Sequence, residues 1–312
     1  MEIGVGLWCM RATRDAPAHP ALYRELVEDA RLAERLGLQS LWLSEHHAWY
    51  DGWCPSLLVA AAAVLGATAR LNVGTGVFLL PLHDPSRVAA AGATLEQLAP
   101  GRTELGIGLG YREAEYDAVG VSRRDRGRLA EAALGKLETA WDGDGPRVWI
   151  GGIADRALAR GARRGLSLFL PSTMTMPRLR AVIARAREVS AANGVAMGRV
   201  GMHKYAWVTD GSAASDRDAR ATIGLDVGEY GGSWWTLGGR RGFDAPDKLR
   251  EQMQMAASSA LVGTPGQVTE HLGELQTLGV DLVVLQVVQP GTRPAYRDNL
   301  RRIAAEVVPG LT

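Results

Sequence analysis

The chain has 312 residues, long enough for one (β/α)₈ barrel or for two smaller domains. With 46% hydrophobic and 22% charged residues it lies far from the composition of disordered chains. A formal charge of +1 offers no global field for gathering nucleic acid or an anionic membrane, so neither partner is expected and recognition falls to specific pockets.

Short apolar, β-branched runs alternate with longer amphipathic stretches along nearly the whole chain. Strands are predicted over 3–8, 40–45, 71–79, 103–108, 147–150, 166–170, 200–208 and 281–288. Helices are predicted over 20–36, 55–69, 85–98, 123–141, 154–164, 177–192, 265–278 and 294–307, several of them opening on proline, which a first helical turn tolerates. In the first, Leu22, Leu26, Ala30 and Ala33 share one face and Gly37 closes the helix. Eight strands alternating with eight helices predict an α/β fold, a closed (β/α)₈ TIM barrel in a single domain spanning 1–312. No GxGxxG follows the first strand, and Gly106-Ile-Gly-Leu-Gly110 is a fragment of that pattern in the wrong place. The rhythm breaks once, at 209–263, where the glycine-rich run GEYGGSWWTLGGRRGFD is expected to form a binding loop or lid after strand seven. The opening MEIGVGLW has no signal-peptide pattern, and the longest apolar run, 57–65, is too short for a bilayer. Two cysteines, Cys9 and Cys54, form neither a metal knuckle nor a disulfide framework, so a reducing cytoplasmic setting is expected.

Glycines number 38, about 12% of the chain against a usual share of about 7%, and the excess falls at predicted strand ends, where backbone approaches ligands. Strand two ends in Glu45-His46-His47. A histidine at the C-terminal end of a barrel strand is placed for catalysis, although a bond to a rim carbonyl explains it equally well. Side chains of adjacent extended residues diverge, so at most one of the two histidines faces the pocket. Metal catalysis is not expected, since His19, His83, His203 and His271 lie in segments without ligand spacing. Gly74, Thr75 and Gly76 leave room for a flat ring, or else suit a tightly packed barrel interior. Gly151-Gly152 opens a helix whose free N–H groups suit a phosphate, or else marks a tight turn.

The ordered set Trp42-Leu-Ser-Glu-His-His, Leu71-Asn-Val-Gly-Thr-Gly, Asp84-Pro-Ser-Arg-Val-Ala, Glu104-Leu-Gly-Ile-Gly-Leu-Gly, Glu115-Tyr, Arg126-Gly-Arg-Leu-Ala-Glu, Trp149-Ile-Gly-Gly and Val262-Gly-Thr-Pro-Gly resembles the bacterial luciferase-like monooxygenase family. The resemblance is dense over 1–170 and returns over 260–290. It implies a (β/α)₈ barrel with an insertion after strand seven. It also implies that reduced FMN, made by a separate flavin reductase, works with O₂ on a small-molecule substrate, and that the protein is a homodimer.

Carried over by position, His46 matches the catalytic histidine, with Glu45 and His47 completing its motif. Gly76-Val77 matches a non-proline cis peptide behind the flavin ring, with Gly108 beside it. Arg126 matches the arginine that grips the phosphate, and Gly151, Gly152 and Ile153 match its backbone cradle. Where luciferases carry a reactive cysteine followed by arginine, this chain has Gly108 and Leu109, a departure that argues against light emission. Trp8, Trp49, Trp53, Trp234 and Trp235 are the candidate walls for an organic substrate. Two other readings stay open. One is hydride transfer with reduced 8-hydroxy-5-deazaflavin, which the 111–121 and 126–131 patterns resemble, and the other is a non-catalytic flavin-binding barrel, against which His46 argues.

Overall fold

Alternation of strand and helix closes on itself in the computed structural model, which describes residues 1–8, 19–47, 54–236, 246–287 and 293–311. The chain runs β1 (Glu2–Trp8), α1 (His19–Arg35), β2 (Ser40–Leu43), α2 (Leu57–Ala67), β3 (Asn72–Thr75), β4 (Phe78–Leu79), α3 (Pro85–Leu98), β5 (Thr103–Gly108) and α4 (Glu113–Ala118). It continues through α5 (Arg126–Trp141), β6 (Arg147–Gly151), α6 (Asp155–Ala162), β7 (Ser167–Leu170), α7 (Met176–Ala192), β8 (Val200–Val208), α8 (Ala213–Thr236) and α9 (Pro246–Ser259). The last elements are β9 (Leu261–Gly263), α10 (Pro265–Thr277), β10 (Leu282–Val287) and α11 (Arg293–Arg302).

All pairings are parallel, in the order β10, β1, β2, β3, β5, β6, β7, β8, and β10 also pairs with β8, so eight strands close a TIM barrel. Short β4 adds to β5 and β9 to β8. Strand residues alternate between two cores. Leu41 and Leu43 face outward, joining Leu26, Ala30 and Ala33 of α1 in the layer between barrel and helices. Trp42 faces the lumen with Trp149, Phe169, Leu282 and Val284. Gly74 makes that possible, because a Cβ there would stand 2.3 Å from Trp42 Cδ2. Helix starts carry their own stops: Asp84 accepts from the N–H groups of Ser86 and Arg87 at 3.0 Å each, and Thr264 forms a capping box with Gln267.

Three expectations need correction. The strand predicted over 71–79 is two pieces, β3 and β4, separated by Gly76-Val77, whose peptide bond is cis. The helix predicted over 123–141 opens with a 3₁₀ turn (Arg123–Asp125) before α5 begins at Arg126. Most of 209–263 is regular, folding as α8, α9 and β9. Ala219 and Ile223 on α8 pack against Ala256 and Ala260, and Gly228 brings α8 so close that a Cβ would lie 2.9 Å from Met253 Sδ. Tertiary packing of small residues thus overrides the low helix propensity of glycine. No helix among the described residues is long and apolar enough to cross a membrane.

Candidate active site

Beyond Leu43 the strand gives way to an irregular segment that bends at His47, and the side chains of the Glu45-His46-His47 motif enter two networks. Glu45, buried, lies in the first. Its Oε1 accepts from His47 Nε2 at 2.5 Å and from His83 Nε2 at 2.6 Å, while Oε2 accepts from the Leu79 N–H at 2.7 Å. Burial opposes ionisation of Glu45, but these donors outweigh it and hold the carboxyl below its usual range. Burial likewise works against protonated His47, yet Glu45 raises its pKa above the ordinary value. His83, whose segment shows no ligand spacing in the sequence, stacks on Phe78 with ring centroids 4.2 Å apart. Donor atoms of Glu45, His47 and His83 lie within 4.8 Å of one another, a set able to take a metal ion. With Oε1 already accepting two N–H bonds, the cluster is satisfied as a hydrogen-bonded anchor for the strand end, and among the described residues neither imidazole shows a second hydrogen bond of the kind metal-bound histidines keep.

The second network belongs to His46, which is 7% exposed. Its Nδ1 bonds Glu115 Oε1 at 2.8 Å and its Nε2 lies 3.4 Å from the Tyr111 hydroxyl. Glu115, on α4, also accepts from the His47 N–H at 3.0 Å and from Arg112 Nη1 at 3.3 Å. Arg112 Nη1 donates in addition to the His47 carbonyl at 2.8 Å, tying α4 to the strand end. Burial opposes the Glu115 charge, and hydrogen bonds from His46 and the His47 N–H, with the Arg112 charge, hold its pKa below the usual range. A carboxylate only accepts, so His46 carries its proton on Nδ1 when neutral and presents the Nε2 lone pair toward Tyr111 at the barrel mouth. Glu115 Oε2 is buried without a partner among the described residues.

A flat seat forms nearby. Val77 lies over the bare backbones of Gly108 and Gly151, where added Cβ atoms would come within 2.2 and 2.7 Å of its methyl groups. Gly152, at φ +119°, turns the chain out of β6, with half-buried Ile153 following. No side chain caps α6, so its first N–H groups are available to a phosphate, although Asp155 in that turn opposes one. Arg126 uses Nη1 on the Arg123 carbonyl at 2.9 Å, and a Cβ on Gly127 would sit 3.8 Å from Arg160 in the last turn of α6, which brings the start of α5 against the end of α6. Bare backbone at the ends of β5 and β6 and an uncapped helix start suit the ring and phosphate that a flavin and a deazaflavin share.

The luciferase-like monooxygenase family model matches residues 3–282. The chain belongs to that family. Among relatives it is similar to the 4-hydroxyprotoasukamycin monooxygenase of Streptomyces nodosus subsp. asukaensis, 34% identical over 142 residues covering 42% of this chain and 37% of that one. It is also similar to an F420-dependent glucose-6-phosphate dehydrogenase of Kineococcus radiotolerans, 44% identical over 124 residues, 38% of this chain and 36% of that one. The matched stretches span half or less of these curated relatives' lengths. The fold is shared end to end with the oxygenating constituent of 3,6-diketocamphane monooxygenase from Pseudomonas putida, solved in complex with FMN, at 17% identity, TM-score 0.79 and coverage of 100% and 99%.

In this luciferase-like chain the structure therefore brings together Glu45, His46, His47 and, separately, Val77, Gly108 and Gly151. Trp8 ends β1, and Trp234 and Trp235 lie in the last turn of α8. Trp49 and Trp53 lie outside the described residues. Glu115, Tyr111, Arg112 and His83 are site residues that the sequence reading missed: Glu115 stands 69 positions from His46, and no spacing rule connects them.

Proposed function

We propose that the chain is the oxygenase component of a two-component monooxygenase, taking reduced FMN from a separate flavin reductase and O₂ to oxygenate a small organic substrate. The observation that carries this reading is the His46–Glu115 pair, held at a strand end of the barrel beside the bare backbone of Gly108. Bound reduced FMN supplies the two electrons that activate O₂. Val77, Gly108 and Gly151 seat the ring, and Arg126 with the Gly152–Ile153 turn and the α6 N-terminus holds the phosphate. His46 would hold or deliver a proton at Nε2, and Glu115 orients it through Nδ1. Segment 209–263 acts as a lid within a single domain, excluding water. A homodimer, as the family resemblance implies, completes the reading, and light scattering would test it.

A second reading, hydride transfer with a reduced deazaflavin, is favoured by the identity shared with the F420-dependent dehydrogenase. The test supplies reduced FMN through a reductase, ¹⁸O₂, and a panel of neutral ketones, aldehydes and phenols. Incorporation of ¹⁸O into a product supports the oxygenase. Absence of label, with a reduced or oxidised product formed only when deazaflavin is present, overturns it.

A further inference from the structure

Below the candidate seat, the lumen is an aromatic stack with one imidazole in it. Trp42 lies parallel to Phe169, with centroids 4.6 Å apart at 5°, and meets Trp149 edge-on at 5.7 Å. Phe169 faces His203 at 6.5 Å and 22°, and His203 meets Tyr205 at 6.0 Å and 75°. Alternation along β8 puts Met202 and Ala206 in the outer core and sends Lys204 Nζ to the carbonyls of Ser172 and Ser259, at 3.1 and 3.3 Å. His203 and Tyr205 consequently face inward.

His203 has no hydrogen-bond partner among the described residues. Burial, with the Lys204 charge behind it, pushes its pKa down to about 4, so the ring is neutral in ordinary buffers. A neutral imidazole offers one donor and one acceptor. His203 is half-buried, so its ring keeps an accessible edge inside the barrel where a ligand group could match that donor or acceptor. Side chains around it, Trp42, Phe169, Trp149 and Tyr205, carry no formal charge. The Glu104–Arg147 ion pair sits at the N-terminal ends of β5 and β6, where Glu104 also accepts from Trp149 Nε1. The Lys204 ammonium is turned away to the Ser172 and Ser259 carbonyls, so among the described residues no cation faces the ring to repay desolvation of a sulfonate or carboxylate.

We propose that His203 is a substrate-contact residue that hydrogen-bonds the single hydroxyl or carbonyl group of a neutral, flat, apolar substrate lying against Phe169 and Tyr205. The proposal rests on the oxygenase reading for what happens to that substrate, but its test needs neither cofactor nor O₂. Titration calorimetry on the cofactor-free protein uses 1-naphthol, naphthalene and 1-naphthalenesulfonate. Naphthol is expected to bind about tenfold tighter than naphthalene, and the sulfonate no tighter than naphthalene. His203→Phe, which keeps the aromatic stack, abolishes the naphthol preference, and His203→Gln restores part of it. Thermal melts of both variants confirm folding. A preference that survives His203→Phe, tightest binding of the sulfonate, or no binding of naphthol overturns the proposal. So does a loss of FMN affinity in His203→Phe with naphthol unaffected, which would give His203 to the cofactor. Failure of the ¹⁸O experiment alongside a His203-dependent naphthol preference would sink the oxygenase reading and leave the binding site standing.

Discussion

His46 and Glu45 are neighbours in sequence and belong to different machines. Glu45 is saturated by two imidazoles and a backbone N–H, so its task is to hold the strand end, whereas His46 keeps Nε2 directed at the barrel mouth. His46→Ala should therefore lower product formation about a hundredfold or more while the fold persists, the scale of losing a positioned proton donor. The check is product per O₂ consumed: uncoupled H₂O₂ should replace product, and unchanged coupling would refute the role. Glu115→Gln keeps the shape and removes the anion, so coupling should fall by about tenfold with little change in substrate KM, because orientation of His46 is affected and substrate contact is not. At the same scale, Arg126→Ala should weaken FMN binding by about 10- to 100-fold and riboflavin binding hardly at all, since a charge-assisted contact to phosphate is lost. Calorimetry with both ligands measures it, and equal losses would remove the phosphate assignment.

Among the elements, what the sequence made legible follows from periodicity. Strands 103–108 and 200–208 and helix 85–98 coincide with β5, β8 and α3, because period-2 and period-3.6 patterns run unbroken there and Pro85 marks the helix start. The strand over 71–79 reads as continuous because its apolar character is, and the backbone geometry at Gly76-Val77 leaves no mark in hydropathy. Helix α8 was illegible because its stability comes from contact with α9, and its glycines argue against a helix when read alone. Candidate site residues on strand ends, His46 and Gly151, were likewise visible, since barrel topology says where strand ends meet. Glu115 and Tyr111 lie beyond β5 on and before the six-residue α4, whose pairing with His46 only the tertiary structure reveals. Val77 shows how tightly the elements around the seat fit. Gly151→Ala would force a Cβ to within 2.7 Å of a Val77 methyl and 3.2 Å of the Ile107 carbonyl, so Val77 must give way. FMN affinity should drop with only a modest fall in melting temperature, and an unchanged affinity would move the ring elsewhere.

For the whole molecule, buried titratable groups set how stability depends on pH. Glu45 and Glu115 are held below their usual range, so the stability they contribute is complete above about pH 4.3 and lost as pH falls through their lower folded values. His203 acts in the same direction and earlier: between about pH 6.5 and pH 4 the unfolded chain binds a proton that the folded one resists, so stability declines as pH falls through that range. His47 runs the other way, its raised pKa giving a contribution complete below about pH 6.5 and lost as pH rises through the folded value. Urea midpoints from pH 4 to 8 should fall toward acid, and His203→Phe should flatten the stretch between pH 6.5 and 4. A slope unchanged in that variant would mean that the buried imidazole does not govern it.

The central claim, that this barrel is built around reduced FMN and O₂, is tested most directly by titrating the protein under argon with reduced FMN and with reduced 8-hydroxy-5-deazaflavin in parallel, then admitting O₂ and following absorbance. The account predicts tighter binding of reduced FMN and an oxidation time course distinct from that of free reduced flavin, dependent on His46. Selective binding of the deazaflavin, with no effect of the protein on flavin oxidation, would contradict it and assign the same site to hydride transfer.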